Sequence, residues 1–169
     1  MNILLRLKTW HLFVLLMSPR LLSLFFLNNI NYTNLLAGLN GVLYFGFFIL
    51  SYEFLRQFDK ERKPIQRIFF FLINSIFACI FVAMALNGYS LDFLETVLLL
   101  PIFITFMGHV LYVLAKKQNK AEKLYNLSSQ AVFLYMLLYL LLPLGIWIIV
   151  PQFKKLKTTQ LSNSYFPKT

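Results

Sequence analysis

The stretch "LLMSPRLLSL", Leu15 to Leu24, sets a proline beside an arginine in the middle of the first long apolar run of the chain. If this run is one helix, it can cross a membrane. If the chain breaks at Ser18, the run lies in the membrane plane, four crossings remain and the N-terminus moves to the other face. Pro19 cannot donate to the carbonyl of Leu15, and its ring crowds that group. The Ser18 hydroxyl, three residues from Leu15, can donate to the freed carbonyl instead, so a continuous, kinked span is feasible. The other reading takes Ser18 as an N-cap and Pro19 as the first residue of a new helix. About a dozen apolar residues at ~−0.5 kcal/mol each give ~−6 kcal/mol for insertion, against ~+3 for a central arginine. His11, Pro19 and the serines use most of the remainder, so insertion is near break-even. Charge favours the span, because only a crossing first helix keeps Arg6 and Lys8 on the side of the later basic loops.

The rest of the chain makes a membrane the natural solvent. Of 169 residues, 59% are hydrophobic and 13% are charged, where soluble domains carry about 25% charge; the mean hydropathy is +0.69. The net charge of +10 is placed between apolar runs. Positive-inside loops account for it, and no nucleic-acid partner is expected. The single cysteine, Cys79, has no intrachain partner and reads as a small thiol packed between helices. Arg6 and Lys8 precede an apolar stretch without a small-x-small cleavage site, which reads as an uncleaved signal-anchor.

Five apolar segments follow one another, at residues 10–27, 35–55, 68–86, 97–115 and 131–150. Each is close to the ~20 residues that cross ~30 Å of hydrocarbon. In lipid their backbones must bond internally, so they are helices. The expected fold is an all-α polytopic transmembrane bundle of five apolar helices, the first kinked at Pro19, with four full crossings as the alternative. Residues 1–169 form one integral membrane domain ending in a basic flexible tail at 151–169. Connectors 56–67 and 116–130 are basic, whereas 28–34 and 87–96 contain no Lys or Arg. This alternation sets the N-terminus in the cytoplasm. Five crossings then leave the C-terminus, with Lys154, Lys155, Lys157 and Lys168, outside, against the charge rule. Two segments are the suspects for that conflict: the first, with Pro19-Arg20, and the fifth, with "LPLG" at Leu142–Gly145. Asn87-Gly88 suits a helix end with glycine in the left-handed position. Ser90 can cap the next helix, with Asp92 and Glu95 near its positive end. Thr33 or Asn34 can cap the second helix in the same way.

Small residues recur at helical spacing. Ala37 and Gly41 stand one turn apart, and Ser75, Cys79 and Ala83 form a second small face. Such faces let helices approach closely in lipid, within one chain or between copies. Tyr135, Tyr139, Pro143 and Trp147 form a stripe at spacing four. Trp147 reads as an interface anchor, and the tyrosines need hydroxyl partners if buried. The ionisable residues in or near spans are Arg20, Glu53, His109 and His11. At 1.5 Å per residue the Arg20 backbone lies ~16 Å deep, that of Glu53 ~3 Å and that of His109 ~9 Å. Side chains lean toward the N-terminus of their own helix, so Arg20, Glu53 and His109 converge on one candidate polar layer. No catalytic, cofactor or metal motif is present among HExxH, CxxC, Walker and GxSxG patterns. An enzyme is not expected, and neither is a cofactor.

"LKTWHLF" (Leu7–Phe13) and "PLGIWIIVP" (Pro143–Pro151) resemble the opening and closing signatures of a family of small uncharacterised polytopic membrane proteins from Bacteroidetes-type bacteria. The resemblance covers the two ends and not the middle, and Arg20 is not part of the signature. It implies a multi-pass helical bundle in a bacterial inner membrane and supplies no activity. The expected role is a non-enzymatic membrane component that associates through helices with itself or with another membrane protein. The alternative is a small transporter or channel-like protein using the Arg20, Glu53 and His109 layer.

Overall fold

The computed structural model describes residues 3–59, 64–88 and 93–165. Ser90 and Asp92, and the side chain of Glu95, lie outside the described residues. The regular structure among the described residues is helical: α1 (Ile3–Arg6), α2 (Thr9–Ser23), α3 (Ile30–Arg56), α4 (Pro64–Leu86), α5 (Phe93–Leu124), α6 (Val132–Leu140) and α7 (Leu142–Tyr165), with a 3-10 turn at Leu24–Phe26 after α2. Among the described residues four stretches are long and apolar enough to cross a membrane: Thr9–Phe26, Ile30–Arg56, Pro64–Leu86 and Leu100–Leu124. The fold is an all-α membrane helical bundle.

The first segment is one helix through Pro19. Ser18 Oγ donates to the Leu15 carbonyl at 3.0 Å, which supplies the bond that proline cannot make. Pro19 is buried and Arg20 is exposed. The second helix starts earlier than the apolar pattern suggests. Asn29, rather than Thr33 or Asn34, receives a first-turn amide, from Tyr32 at 3.4 Å. Asn34 instead donates to the Leu86 carbonyl at 3.4 Å, at the far end of α4. Gly88 there has φ +69, the left-handed closure expected of it. Pro64 opens α4, where its missing amide proton costs nothing.

The two later apolar segments differ more from the sequence pattern. α5 continues past residue 115 to Leu124, where the left-handed Asn126 (φ 52) closes it and Leu127 N donates to the Glu122 carbonyl at 2.9 Å. The fifth segment is not one helix. Leu141, with φ −91 and ψ 47, separates the nine-residue α6 from α7, and the two helices pack against each other. Gly145 permits this turn, because a Cβ there would lie 1.9 Å from the Leu138 carbonyl oxygen. Residues 151–165, expected as a flexible tail, belong to α7, and Phe153 and Leu156 are fully buried in it.

The chain divides into two compact units. One comprises Met1–Leu12, Leu50–Arg62 and Leu111–Thr169, and the other Phe13–Ile49 and Lys63–Val110. In the first unit Phe54 meets Phe153 with ring centroids 4.6 Å apart, among buried Leu55, Leu114, Ile146 and Ile149. In the second, the ring of Phe81 covers Gly41, and Gly38 packs on Val82 and Ala85. Buried Asn74 donates to the Phe45 carbonyl at 2.9 Å, an interhelical bond of the kind that holds helices together where there is no water. Phe77 sets its ring against Phe103 and Phe106, both with centroids 5.4 Å away.

Candidate functional site

The last turns of α5 put polar side chains inside the first unit. Leu111, Leu114, Ala115, Gln118, Ala121 and Glu122 are buried, while Lys116, Lys120 and Lys123 between them are exposed. That is an amphipathic helix whose inner stripe changes from apolar to polar. Gln118 and Glu122 stand one turn apart, at 0% and 1% exposure. Gln118 Nε2 donates to Glu122 Oε1 at 3.1 Å and to Gln152 Oε1 of α7 at 2.7 Å. Tyr139 Oη donates to Gln118 Oε1 at 2.9 Å. Tyr135 Oη donates to Glu122 Oε2 and accepts from the Gln130 amide at 3.2 Å. Ser51 of α3, also buried, faces Tyr139. The two tyrosines thus have the hydroxyl partners their burial requires.

Beside this cluster Asp59, just after α3, receives Lys117 Nζ at 2.7 Å and Lys120 Nζ at 3.1 Å. Burial pushes the Asp59 carboxyl up, but the two ammonium groups outweigh it and hold the carboxyl below the ordinary carboxylate range. Lys117 also lies 5.0 Å from the centroid of the Tyr52 ring, a cation–π contact. Loop and helix end are therefore tied together by charge as well as by packing.

The residues singled out from sequence are distributed over both units. Arg20 and His109 belong to one unit, Glu53 and His11 to the other. Arg20 is exposed on α2, and its own carbonyl accepts from Ser23 Oγ at 2.7 Å. His109 is exposed on α5, with its ring edge-on to Phe69. Glu53 is half-buried and lies 3.7 Å from Arg56 one turn along α3. His11 is exposed and stacks on Trp10 at 4.0 Å. Of the small faces, Gly41 is buried and Ala37 half-buried, whereas Ser75, Cys79 and Ala83 are all exposed. Next to Ser75, Arg67, Ile68, Phe71, Leu72 and Ile76 line an open hollow of about 430 Å3 on α4.

Gln118, Glu122 and Gln152 escape a reading based on charge, because they fall in stretches that look like solvated basic connectors. The available signal was the spacing 111, 114, 115, 118, 121, 122, which continues the inner stripe of α5 through the lysines. Chemically the cluster is inward-facing: its donors and acceptors are directed at one another. Among the described residues no group of three or more His, Cys, Asp or Glu could hold a metal ion. Comparison of the chain with protein-family models, curated proteins and solved structures finds no match.

Proposed function

We propose that this protein is a non-enzymatic integral membrane component that works by helix association, with a second copy of itself as the partner. The observation that carries the reading is the outward direction of the small face of α4. Phe70, Ile73, Asn74 and Phe77 of that helix are buried, while Ser75, Cys79 and Ala83 are exposed. Small residues at four-residue spacing let a second helix approach closely, and in lipid such contacts are a main source of helix–helix affinity. The hollow beside Ser75, rimmed by Phe71, Leu72 and Ile76, offers room for a side chain of the partner. In this reading the protein sits in a bacterial inner membrane with Arg6, Lys8 and the basic connectors on the cytoplasmic side.

The native cysteine provides the test. Cys79 is the one cysteine in the chain and lies exposed on this face. Oxidation of membranes holding the protein should give a disulfide-linked dimer on a non-reducing gel. Cys79→Ala should remove the band, and Ala83→Leu should weaken it. Counting of single fluorescent molecules in native membranes should give two copies per spot. One copy per spot with no Cys79 dimer refutes the reading, and cross-linking only to a protein of different mass replaces the second copy by another membrane partner.

A further inference from the structure

We infer that the hairpin of α6 and α7 is a membrane-seated element that enters the leaflet on the side of the basic residues and returns to that side without crossing. The occupant of its exposed apolar face is the acyl chain region at the boundary with the headgroups. This concerns the chain's own seating and does not rest on association through α4.

Length is the first ground. α6 has nine residues, ~13 Å at 1.5 Å per residue, against ~30 Å of hydrocarbon. It cannot cross, and Leu141 ends it. Direction is the second. Tyr135 meets Glu122, and Tyr139 meets Gln118, so α6 runs antiparallel to the end of α5. Extended by that register, the turn at Leu141 falls level with residues 115–116, where the apolar part of α5 begins. The return is the third. Gln152 is back at Gln118, and Lys154 Nζ donates to the Leu7 carbonyl at 3.1 Å, between Arg6 and Lys8. The chain therefore starts and finishes the excursion among basic residues.

The surface names its solvent. Residues 131–151 contain no charged side chain. Phe133, Leu137, Leu140, Leu141, Leu144 and Trp147 are between 36% and 69% exposed, while Tyr135, Tyr139 and Gln152 turn their polar ends inward to Gln118 and Glu122. A face that is apolar outside and polar inside is inverted for water and correct for lipid. Lys123 precedes the uncharged run and Lys154 and Lys155 follow it, as expected of a segment bounded by headgroups. Trp147, half-exposed, is the residue type enriched at that depth. The arrangement is that of an interfacial element whose apolar face sinks ~5–10 Å into the boundary of headgroups and chains.

Trp147 reports its own depth once Trp10, the other tryptophan, is removed. The Trp10→Phe protein is reconstituted in phosphatidylcholine vesicles with bromine atoms either near the headgroups or near the chain ends. In parallel, Cys79→Ser proteins with cysteine at Lys8, Leu141 or Thr158 are labelled with a membrane-impermeant maleimide from each face of native membrane vesicles. The inference expects stronger quenching of Trp147 by the shallow bromines. It also expects labelling of Thr158→Cys from the same face as Lys8→Cys, and loss of labelling of Leu141→Cys from both. Labelling of positions 8 and 158 from opposite faces overturns it in favour of a crossing. Unquenched Trp147 overturns it in favour of an aqueous surface if Leu141→Cys labels, or of a second copy if Leu141→Cys instead forms a disulfide dimer.

Discussion

Gly145 allows the hairpin to close, and replacing it is the most direct test of that geometry. In the folded chain Leu144 N and Gly145 N both donate to the Leu141 carbonyl, at 2.9 and 2.8 Å, and Leu141 N donates to Leu137 at 2.8 Å. This folds α7 back so tightly that a Cβ at residue 145 would stand 1.9 Å from Leu138 O and 2.6 Å from its carbonyl carbon. Real contacts of that kind begin near 3.0 Å, so Gly145→Ala must part α6 from α7 by about 1 Å. The obstacle is backbone, so no rotamer change relieves it. Overpacking of a close-packed site costs ~1–3 kcal/mol, occasionally more, and the upper end applies here because parting the helices also stretches the bonds of Tyr135 and Tyr139 to α5. The control is Gly46→Ala or Gly108→Ala. Both glycines are inside helices with nothing within 4 Å of the new Cβ, and alanine there should gain up to ~1 kcal/mol. Thermal and denaturant unfolding of the three variants in one detergent should therefore separate Gly145→Ala from the other two by ~3–4 kcal/mol, a factor of more than ~100 in the unfolding constant. A Gly145→Ala protein as stable as the parent would refute the close approach, and equal losses in all three would mean that glycine matters for some other reason.

Three further substitutions probe the polar contacts. Tyr139→Phe removes the hydroxyl that bonds Gln118 Oε1 in a fully buried setting, and should cost ~1–3 kcal/mol; combining it with Gln118→Ala should lose less than the sum, and strict additivity would count against the bond. Asn74→Ala breaks the buried bond to the Phe45 carbonyl, where interhelical bonds in membrane proteins average ~0.6 kcal/mol with ~1.7 as the ceiling; a loss well above this in a detergent melt would assign Asn74 more than packing. Asp59→Asn should lower stability at pH 7 by ~1–2 kcal/mol through Lys117 and Lys120. The folded carboxyl titrates below its unfolded value, so its contribution is present above pH ~4 and fades as pH falls through the folded pKa. Melting curves of parent and variant should converge in acid, and a gap that persists there would exclude the charge as its cause.

Much of the membrane fold is legible because hydropathy answers to bilayer thickness. α3 and α4 exceed their apolar segments by a few residues at most at each end, and the Ser18–Leu15 bond follows from the geometry of Pro19 alone. The two departures have one physical origin. An apolar run records which residues avoid water and is silent on where the chain turns. At the end of α5 the lysines mark a boundary of hydrocarbon but no end of helix, since they occupy the outer side while Gln118 and Glu122 continue inward. At 131–150 the run is long enough for one span, yet Leu141 breaks it in two. The "LPLG" of that segment pointed to the break, while the small size of Gly145 acquires meaning only when Leu138 is in place against it. Rise per residue likewise gives the heights of Arg20, Glu53 and His109 along their helices, whereas rotation about each axis comes from packing.

Leu7–Leu12 and Pro143–Pro151 are more than a hundred residues apart in sequence and share one unit. There, Leu7 supplies the carbonyl that Lys154 bonds, Gly145 admits Leu138, and the buried Leu12, Ile146, Ile149 and Val150 pack inside the unit. Each of these roles closes the fold. The buried polar cluster extends that closure. Tyr135 and Tyr139 come two turns and one turn before Pro143–Pro151, and Gln152 comes directly after it. Their bonds to Gln118 and Glu122 fix the depth and rotation of the hairpin against α5, because sliding by one residue would leave several buried donors and acceptors unmatched. A buried network that sets register in this way specifies one seating of an otherwise apolar and slippery element. The test is whether Gln118→Leu, which keeps the volume and removes the polarity, leaves the helices folded but lets Trp147 report more than one depth.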